Sequence, residues 1–164
     1  MAQDEPTLHM FCGKIAAGKS TLAGKLAQHP GTVMIAEDAW LFGLFGDQMS
    51  TGADFVRVSG KLRGVLGPHI SALLKAGVSV VFDSQANTLD ARLWMRSLFE
   101  AAGADHRLHV LDAPDEVCLA RLRTRNDDGS HPFQVTEAQF HQFTEYYVPP
   151  TEAEGFRLVM HKTT

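Results

Sequence analysis

A chain of 164 residues with 45% hydrophobic and 21% charged residues can bury a core of its own, which sets aside disordered, collagen-like and disulfide-scaffold classes. Its formal charge of −4 offers no overall basic surface to a nucleic-acid backbone, so a long polynucleotide partner is disfavoured. Cys12 and Cys118 have no metal-type spacing and read as reduced thiols; the acidic start MAQDEPTLHMF and the absence of any long apolar run predict a cytoplasmic protein with no membrane partner.

In chain order, short apolar runs alternate with longer helix-forming ones. Thr7 to Cys12 reads as a first strand and Ser20 to Gln28 as its helix, closed by HPG; Thr32 to Ala36 reads as a second strand, followed by EDAWLFGLFG. The region from Ala53 to Ala76 is helical in pattern, and Gly67 with Pro68 predicts that one helix stops there and another starts. Val78 to Phe82, VSVVF, has the continuous apolar character of a strand covered on both faces. Leu89 to Ala102 predicts a helix, Arg107 to Leu111 a strand and Asp115 to Arg125 a helix. Asn126 to Pro132 reads as a polar loop, Thr136 to Tyr146 as a helix capped by Thr136, and Phe156 to Met160 as a last strand. Five strands with intervening helices imply an α/β fold in a single domain over residues 1–164, a parallel sheet with helices on both faces.

Between the first strand and its helix stands GKIAAGKST, in which Gly13, Gly18, Lys19 and Ser20 fit G-x-x-x-x-G-K-[ST] without mismatch. Glycines let such a loop wrap so that successive N–H groups face anionic oxygens, and the N-terminus of the next helix adds to that field. Residues Gly13, Lys14, Ile15, Ala16, Ala17, Gly18, Lys19, Ser20 and Thr21 are therefore the candidate nucleotide cradle of a three-layer P-loop NTPase fold. Lys19 is expected to reach the β- and γ-phosphates of ATP, and the Ser20 hydroxyl to ligate Mg²⁺.

Two further acids reach the carboxyl edge of the predicted sheet, where open α/β sheets bind ligands. Asp83 follows VSVVF and can hold the Mg²⁺ shell or orient a second carboxylate; capping a helix is its alternative role. Glu37 and Asp38 follow the second strand, and a hydroxyl acceptor needs a base that takes its proton. Asp38 is the preferred base with Glu37 as its rival, and one of the two could cap the following helix instead.

The P-loop, Asp38, Asp83 and the segment CLARLRTRND together resemble the small AAA-type, ATP-binding P-loop kinases of bacteria. The resemblance is closest to the polynucleotide-kinase-like and zeta-toxin-like group, with chloramphenicol phosphotransferase and shikimate kinase more distant. It implies that Asp38 activates an acceptor hydroxyl, and that Asn87 and Arg92 in QANTLDAR correspond to a D-x-N…R region, although Asn87 lies four residues after Asp83 rather than two. The group also has an arginine just beyond the base to grip a substrate phosphate. Trp40, Leu41 and Phe42 stand there instead, which favours a small, more apolar acceptor over a polynucleotide end. By position alone Arg57 matches the substrate-gripping arginine of shikimate-type kinases, its alternative being a solvated helix face. Glu37, Asp38, Trp40 and Arg57 are thus the expected substrate-binding set.

The resemblance further implies a lid over residues 121–135 whose arginines stabilise the transferring phosphoryl. Four-residue spacing puts Arg121 and Arg125 on one helix face and sends Arg123 elsewhere. His131 reads as an exposed loop residue, and Phe133, Phe140, Phe143, Tyr146 and Tyr147 as core packing by their helical spacing. The expected activity is transfer of the ATP γ-phosphoryl to a small hydroxyl compound by a monomer or homodimer. Phosphorylation of a nucleic-acid 5′ end, a toxin acting on a sugar nucleotide and a nucleotide-dependent switch are the competing readings. A GTPase would need N-K-x-D, and TRNDD lacks the lysine.

Overall fold

The structure is a computed structural model and describes residues 5–129 and 134–163. His131, Phe133 and the end of the expected loop therefore lie outside the described residues. Five strands, β1 (Thr7–Gly13), β2 (Thr32–Ala36), β3 (Ser79–Gln85), β4 (Asp105–Asp112) and β5 (Leu158–Lys162), form one sheet in the order β2-β3-β1-β4-β5. Every neighbouring pair is parallel. The helices are α1 (Lys19–Leu26), α2 (Glu37–Phe45), α3 (Gly52–Lys75), α4 (Leu89–Ala102), α5 (Asp115–Asp128) and α6 (Glu137–Tyr146).

Alternation along β1 divides the interior into two layers. Leu8, Met10 and Cys12 join Leu62, Leu66 and Ile70 of α3 and Met95, Leu98 and Phe99 of α4. Phe11, from the opposite face, joins Ala23 of α1, Cys118 and Leu122 of α5 and Phe140 of α6. Each such aliphatic or aromatic side chain, buried completely, contributes about 1.5–3 kcal/mol. The predicted α/β sheet with helices on both faces is therefore the observed one.

α3 departs from expectation. It does not break at Gly67 and Pro68 but runs unbroken over 24 residues with Pro68 inside it. A proline interior to a helix loses one N–H donor and crowds the Cβ of the residue before it. Here that residue is Gly67, which has no Cβ to crowd and is buried against α4. An added Cβ would meet Leu98 Cδ2 at 3.3 Å and Trp94 Cζ2 at 3.6 Å, so close packing of the two helices holds the turn that the proline weakens.

α5 also outruns its predicted end at Arg125, continuing through Asp128 to Gly129, whose φ of 62° stops it. The first three residues of the expected loop are thus helical, with Asn126 Nδ2 donating to Val135 O at 2.7 Å. The last strand starts at Leu158 rather than Phe156; Phe156 turns inward against Phe99 and beneath the Arg96 guanidinium. Thr136 caps α6 as predicted and forms a reciprocal box with Gln139. Of the aromatic set on that helix only Phe140 is in the core, while Phe143 and Tyr146 are 47% and 66% exposed, because a single stripe of α6 faces the sheet. Tyr147 packs against the opposite layer.

Candidate active site

β1 lies between β3 and β4, at the point where the chain changes direction across the sheet, so the loop after β1 opens into the crevice at the strands' carboxyl ends. Gly13 ends β1 with φ 151°, and a Cβ there would stand 2.8 Å from the Leu111 carbonyl oxygen of β4. Only glycine lets the loop leave the sheet this close to its neighbour. Gly18, at φ 106°, supplies the left-handed residue that starts α1, and Ala16 holds a positive φ of 62° between them. These turns fold the loop back over Lys19.

Lys19 is 9% exposed, and its ammonium donates to the carbonyls of Gly13 at 2.8 Å and Lys14 at 2.7 Å. Burial drags its pKa down to about 8, with the nearby Asp83 carboxylate acting against the shift. Lys14 points outward to an ion pair with Asp115 at 2.6 Å. From α5, Arg121 Nη1 donates to the Ala17 carbonyl at 3.1 Å, which brings one predicted lid arginine onto the rim of the cradle. Ala17 is buried, Ile15 partly so, and Thr21 is exposed on the first turn of α1.

Asn87, whose place after Asp83 left its role open, is hydrogen-bonded to the first residue of this loop. After the last β1–β3 rung, Ala86 N donates to Phe11 O at 2.8 Å. The Asn87 side chain then continues the ladder, its Oδ1 accepting from Gly13 N at 3.0 Å and its Nδ2 donating to Gly13 O at 2.9 Å. Arg92, fully buried, donates to Ala86 O, Val148 O and the Glu154 carboxylate. It therefore fastens the segment before β5 to the end of β3.

Ser20 Oγ donates to Asp83 Oδ2 at 2.8 Å. Two hard oxygen groups side by side at the start of α1 suit a cation that keeps most of its waters, as Mg²⁺ does. Among the described residues no group of three or more His, Cys, Asp or Glu could hold a metal, so an all-protein cage is not on offer at this edge. The residues fit Mg²⁺ held jointly by protein and phosphate.

Glu37 and Asp38 form the first turn of α2, and the two carboxylates have different surroundings. Glu37 is 5% exposed, with its oxygens taken up by the forked guanidinium of Arg63 and the hydroxyl of Ser84. Asp38 is half-buried and lies within electrostatic range of Arg125, whose pKa is lowered by burial and held up by the Asp38 charge. Arg125 Nε is buried without a hydrogen-bond partner among the described residues. Arg121, Thr124, Arg125 and Asp128 line a recess of about 410 Å³ along α5. P-loop, Asp38, Asp83, Arg121 and Arg125 thus come together around one end of the sheet.

Arg123 points away, to an ion pair with Glu137 at 2.5 Å, as its spacing predicted. Trp40 is 39% exposed on α2. Arg57 is exposed near the start of α3 and pairs with Asp54 at 3.5 Å, with no described contact to the other site residues. Arg63 and Ser84 escaped the sequence reading, since their partner Glu37 is 26 and 47 positions away and no motif joins them.

This sheet order, cradle and ring of charges define a nucleotide-binding protein with the fold of the small P-loop kinases. A family model described as an AAA domain matches residues 8–150, and the chain belongs to that family. No curated protein matches it by sequence. Among solved structures it is similar to a presumed kinase from Chloroflexus aurantiacus, with 21% identity, a TM-score of 0.76 and coverage of 98% of this chain and 87% of that one. A gluconokinase from Sinorhizobium meliloti aligns at 18% identity and TM-score 0.60, covering 99% and 84% of the two chains. The APS kinase of Mycobacterium tuberculosis, solved with AMPPNP and APS, aligns at 19% identity and TM-score 0.54, covering 87% and 97%. At these identities the likeness is one of fold.

Proposed function

We propose that the protein is an ATP-dependent phosphotransferase that moves the γ-phosphoryl of Mg-ATP to a hydroxyl of a small molecule, with Asp38 as the base. The observation that carries this reading is the meeting of a half-buried carboxylate, Asp38, with a lid arginine, Arg125, beside a complete P-loop. A switch or a simple binding protein has no need of a base opposite the phosphates, whereas a transfer site does. Glu37 is the weaker candidate, because both of its oxygens already accept hydrogen bonds.

In this reading Lys19 leaves the Gly13 and Lys14 carbonyls for phosphate oxygens, and Asn87 keeps the Gly13 carbonyl hydrogen-bonded when it does. Ser20 and Asp83 would hold Mg²⁺, which supplies charge neutralisation at the phosphates. Arg121 and Arg125 face the recess along α5 and stabilise the negative charge of the transferring group, a contribution of ~10³-fold or more in rate where an arginine plays this part. Trp40 and Phe42, exposed on α2 while Leu41 between them is buried in the core, stand where a polynucleotide kinase is expected to have its phosphate-gripping arginine, which favours a small, partly apolar acceptor. Arg57 is the outlying member of the acceptor set. The chain is read as one domain acting in the cytoplasm.

The test is a screen of hydroxyl metabolites and antibiotics with γ-labelled ATP and Mg²⁺, alongside 5′-hydroxyl oligonucleotides, for the wild type, Asp38→Asn and Lys19→Ala. A labelled small molecule that disappears with both variants is the expected result. Label on oligonucleotides alone moves the acceptor to nucleic acid. A biological activity lost with Lys19→Ala and intact with Asp38→Asn replaces the kinase by a switch.

A further inference from the structure

The register of β2 on β3 ends with Ala36 opposite Asp83. One residue further on each strand stand Glu37 and Ser84, and the pairing continues there through side chains: Ser84 Oγ donates to Glu37 Oε2 at 2.5 Å. Arg63, from the middle of α3, closes the other side. Its Nε donates to Glu37 Oε1 at 3.2 Å, and one terminal nitrogen donates both to Glu37 Oε2 at 3.3 Å and to Ser84 Oγ at 3.3 Å. The guanidinium also lies 4.9 Å from the centre of the Trp94 ring, which orients its plane.

A carboxylate this buried is tolerated when its charge is paired and both oxygens accept hydrogen bonds, and here both conditions hold. The consequence is geometric. Glu37 is the neighbour of Asp38 and Ser84 the neighbour of Asp83, so the Glu37–Ser84 bond ties the residue before the base to the residue after the metal-side acid. Arg63 adds an electrostatic part, since without it Glu37, Asp38 and Asp83 would be three carboxylates crowded at one sheet edge.

We infer that Arg63 and Ser84 are positioning residues for the transfer: acting through Glu37, they hold the first turn of α2, and with it Asp38, at a set distance from Asp83. This rests on the reading of Asp38 as base. The assignment also gives Glu37 a structural part in the site in place of the acceptor-binding one expected of it.

Ser84→Ala is the decisive variant, because it removes one hydroxyl and leaves the Arg63–Glu37 ion pair. Rates are measured as single-turnover hydrolysis of γ-labelled Mg-ATP with water as acceptor, and affinity as calorimetric binding of Mg-AMPPNP, in wild type, Ser84→Ala, Asp38→Asn and the double variant. Misplacing a reacting group by a fraction of an ångström to an ångström costs on the order of 10- to 100-fold in rate. Ser84→Ala is expected to lower the rate by about tenfold or more with AMPPNP affinity unchanged, and to have no further effect once Asp38 is Asn. Arg63→Met is expected to act more strongly in the same direction, and Arg63→Lys to restore part of the loss. Parallel loss of rate and affinity in Ser84→Ala, or an equal effect of Ser84→Ala with and without Asp38, overturns the inference alone. A full rate in Asp38→Asn overturns the base assignment itself.

Discussion

Lys19 is a cation held among carbonyl oxygens with its pKa depressed to about 8 by burial, a charge that anionic phosphate oxygens would pair better than neutral carbonyls do. Lys19→Met is expected to weaken Mg-AMPPNP binding by roughly 10- to 100-fold, the value of one or two charge-assisted hydrogen bonds. Because it also removes a desolvated ammonium, the thermal midpoint of the nucleotide-free protein is expected to hold or rise; calorimetry with and without AMPPNP reads both effects. Gly13→Ala should have the opposite effect on stability. Its Cβ would stand 2.8 Å from the Leu111 carbonyl at a φ that side chains rarely adopt, so a loss of about 2–4 kcal/mol in urea unfolding is expected together with loss of nucleotide binding. Residues of this kind were legible in the sequence because the motif puts all of them within nine positions, Gly13 to Thr21. Arg63 and Ser84 were not, since Glu37 reaches them only through the packing of α2 and α3 on β3, and Asn87 was marked by resemblance without its partner. Asn87 meets Gly13 across 74 positions, and nothing local marks an asparagine as a surrogate strand rung.

Among the elements, strands and most helices could be read from apolar runs and caps, and the misreadings have one cause in common. Turn chemistry in the sequence is local, and packing overrides it. Gly67 and Pro68 form a helix-breaking pair in isolation, yet α3 passes through them because Gly67 lies flush against Leu98 and Trp94 of α4. The same lack of tertiary context hid the last turn of α5, where the Asn126 side chain bonds Val135 across what had been read as an open loop. α3 therefore carries a local defect that its surroundings offset. Pro68 is exposed, and Pro68→Ala restores a backbone donor; the penalty of about 3 kcal/mol for proline in an ideal helix is smaller here because Gly67 already relieves part of the crowding. Part of that gain is returned through the freer unfolded chain, about 0.4–1 kcal/mol. A net stabilisation of roughly 1–2 kcal/mol by urea denaturation is expected, with AMPPNP affinity unchanged. A destabilised variant would mean that the proline fits its turn better than its chemistry allows.

At the scale of the whole molecule, the parallel order β1-β4-β5 assembles a feature remote from the nucleotide in chemistry. His9, His109 and His161 stand on adjacent strands, with His9 Nδ1 and His109 Nε2 3.0 Å apart, and His109 Nδ1 and His161 Nε2 3.0 Å apart. No spacing in the chain announces them, since they are separated by 100 and 52 positions. Each N···N contact needs one proton, so three neutral rings satisfy both bonds, and added protons compete for the same short spaces. His9 and Phe11 stack on His109, His161 lies tilted against it, and His109 is 5% exposed. Burial, followed by repulsion from His9, His161 and Arg107, presses the His109 pKa down to about 4; burial and Arg107 lower that of His9, against the pull of Asp105. In the unfolded chain His9 and His109 titrate near 6.5, so between that pH and about 4 the unfolded state binds the more protons and acid favours unfolding. Stability is expected to be complete above pH 7 and to fall as the pH drops below 6.5. The contribution of His109 is on the order of 3 kcal/mol once pH 4 is reached. Because carboxylates begin to titrate at the lower end of that window, the informative comparison is urea unfolding of wild type and His109→Leu at pH 7.5, 6.5, 5.5 and 4.5. The difference between the two should shift in favour of the variant as the pH falls. A difference that stays constant would mean that the central ring keeps an ordinary affinity for protons, and that the ladder is open to water in solution.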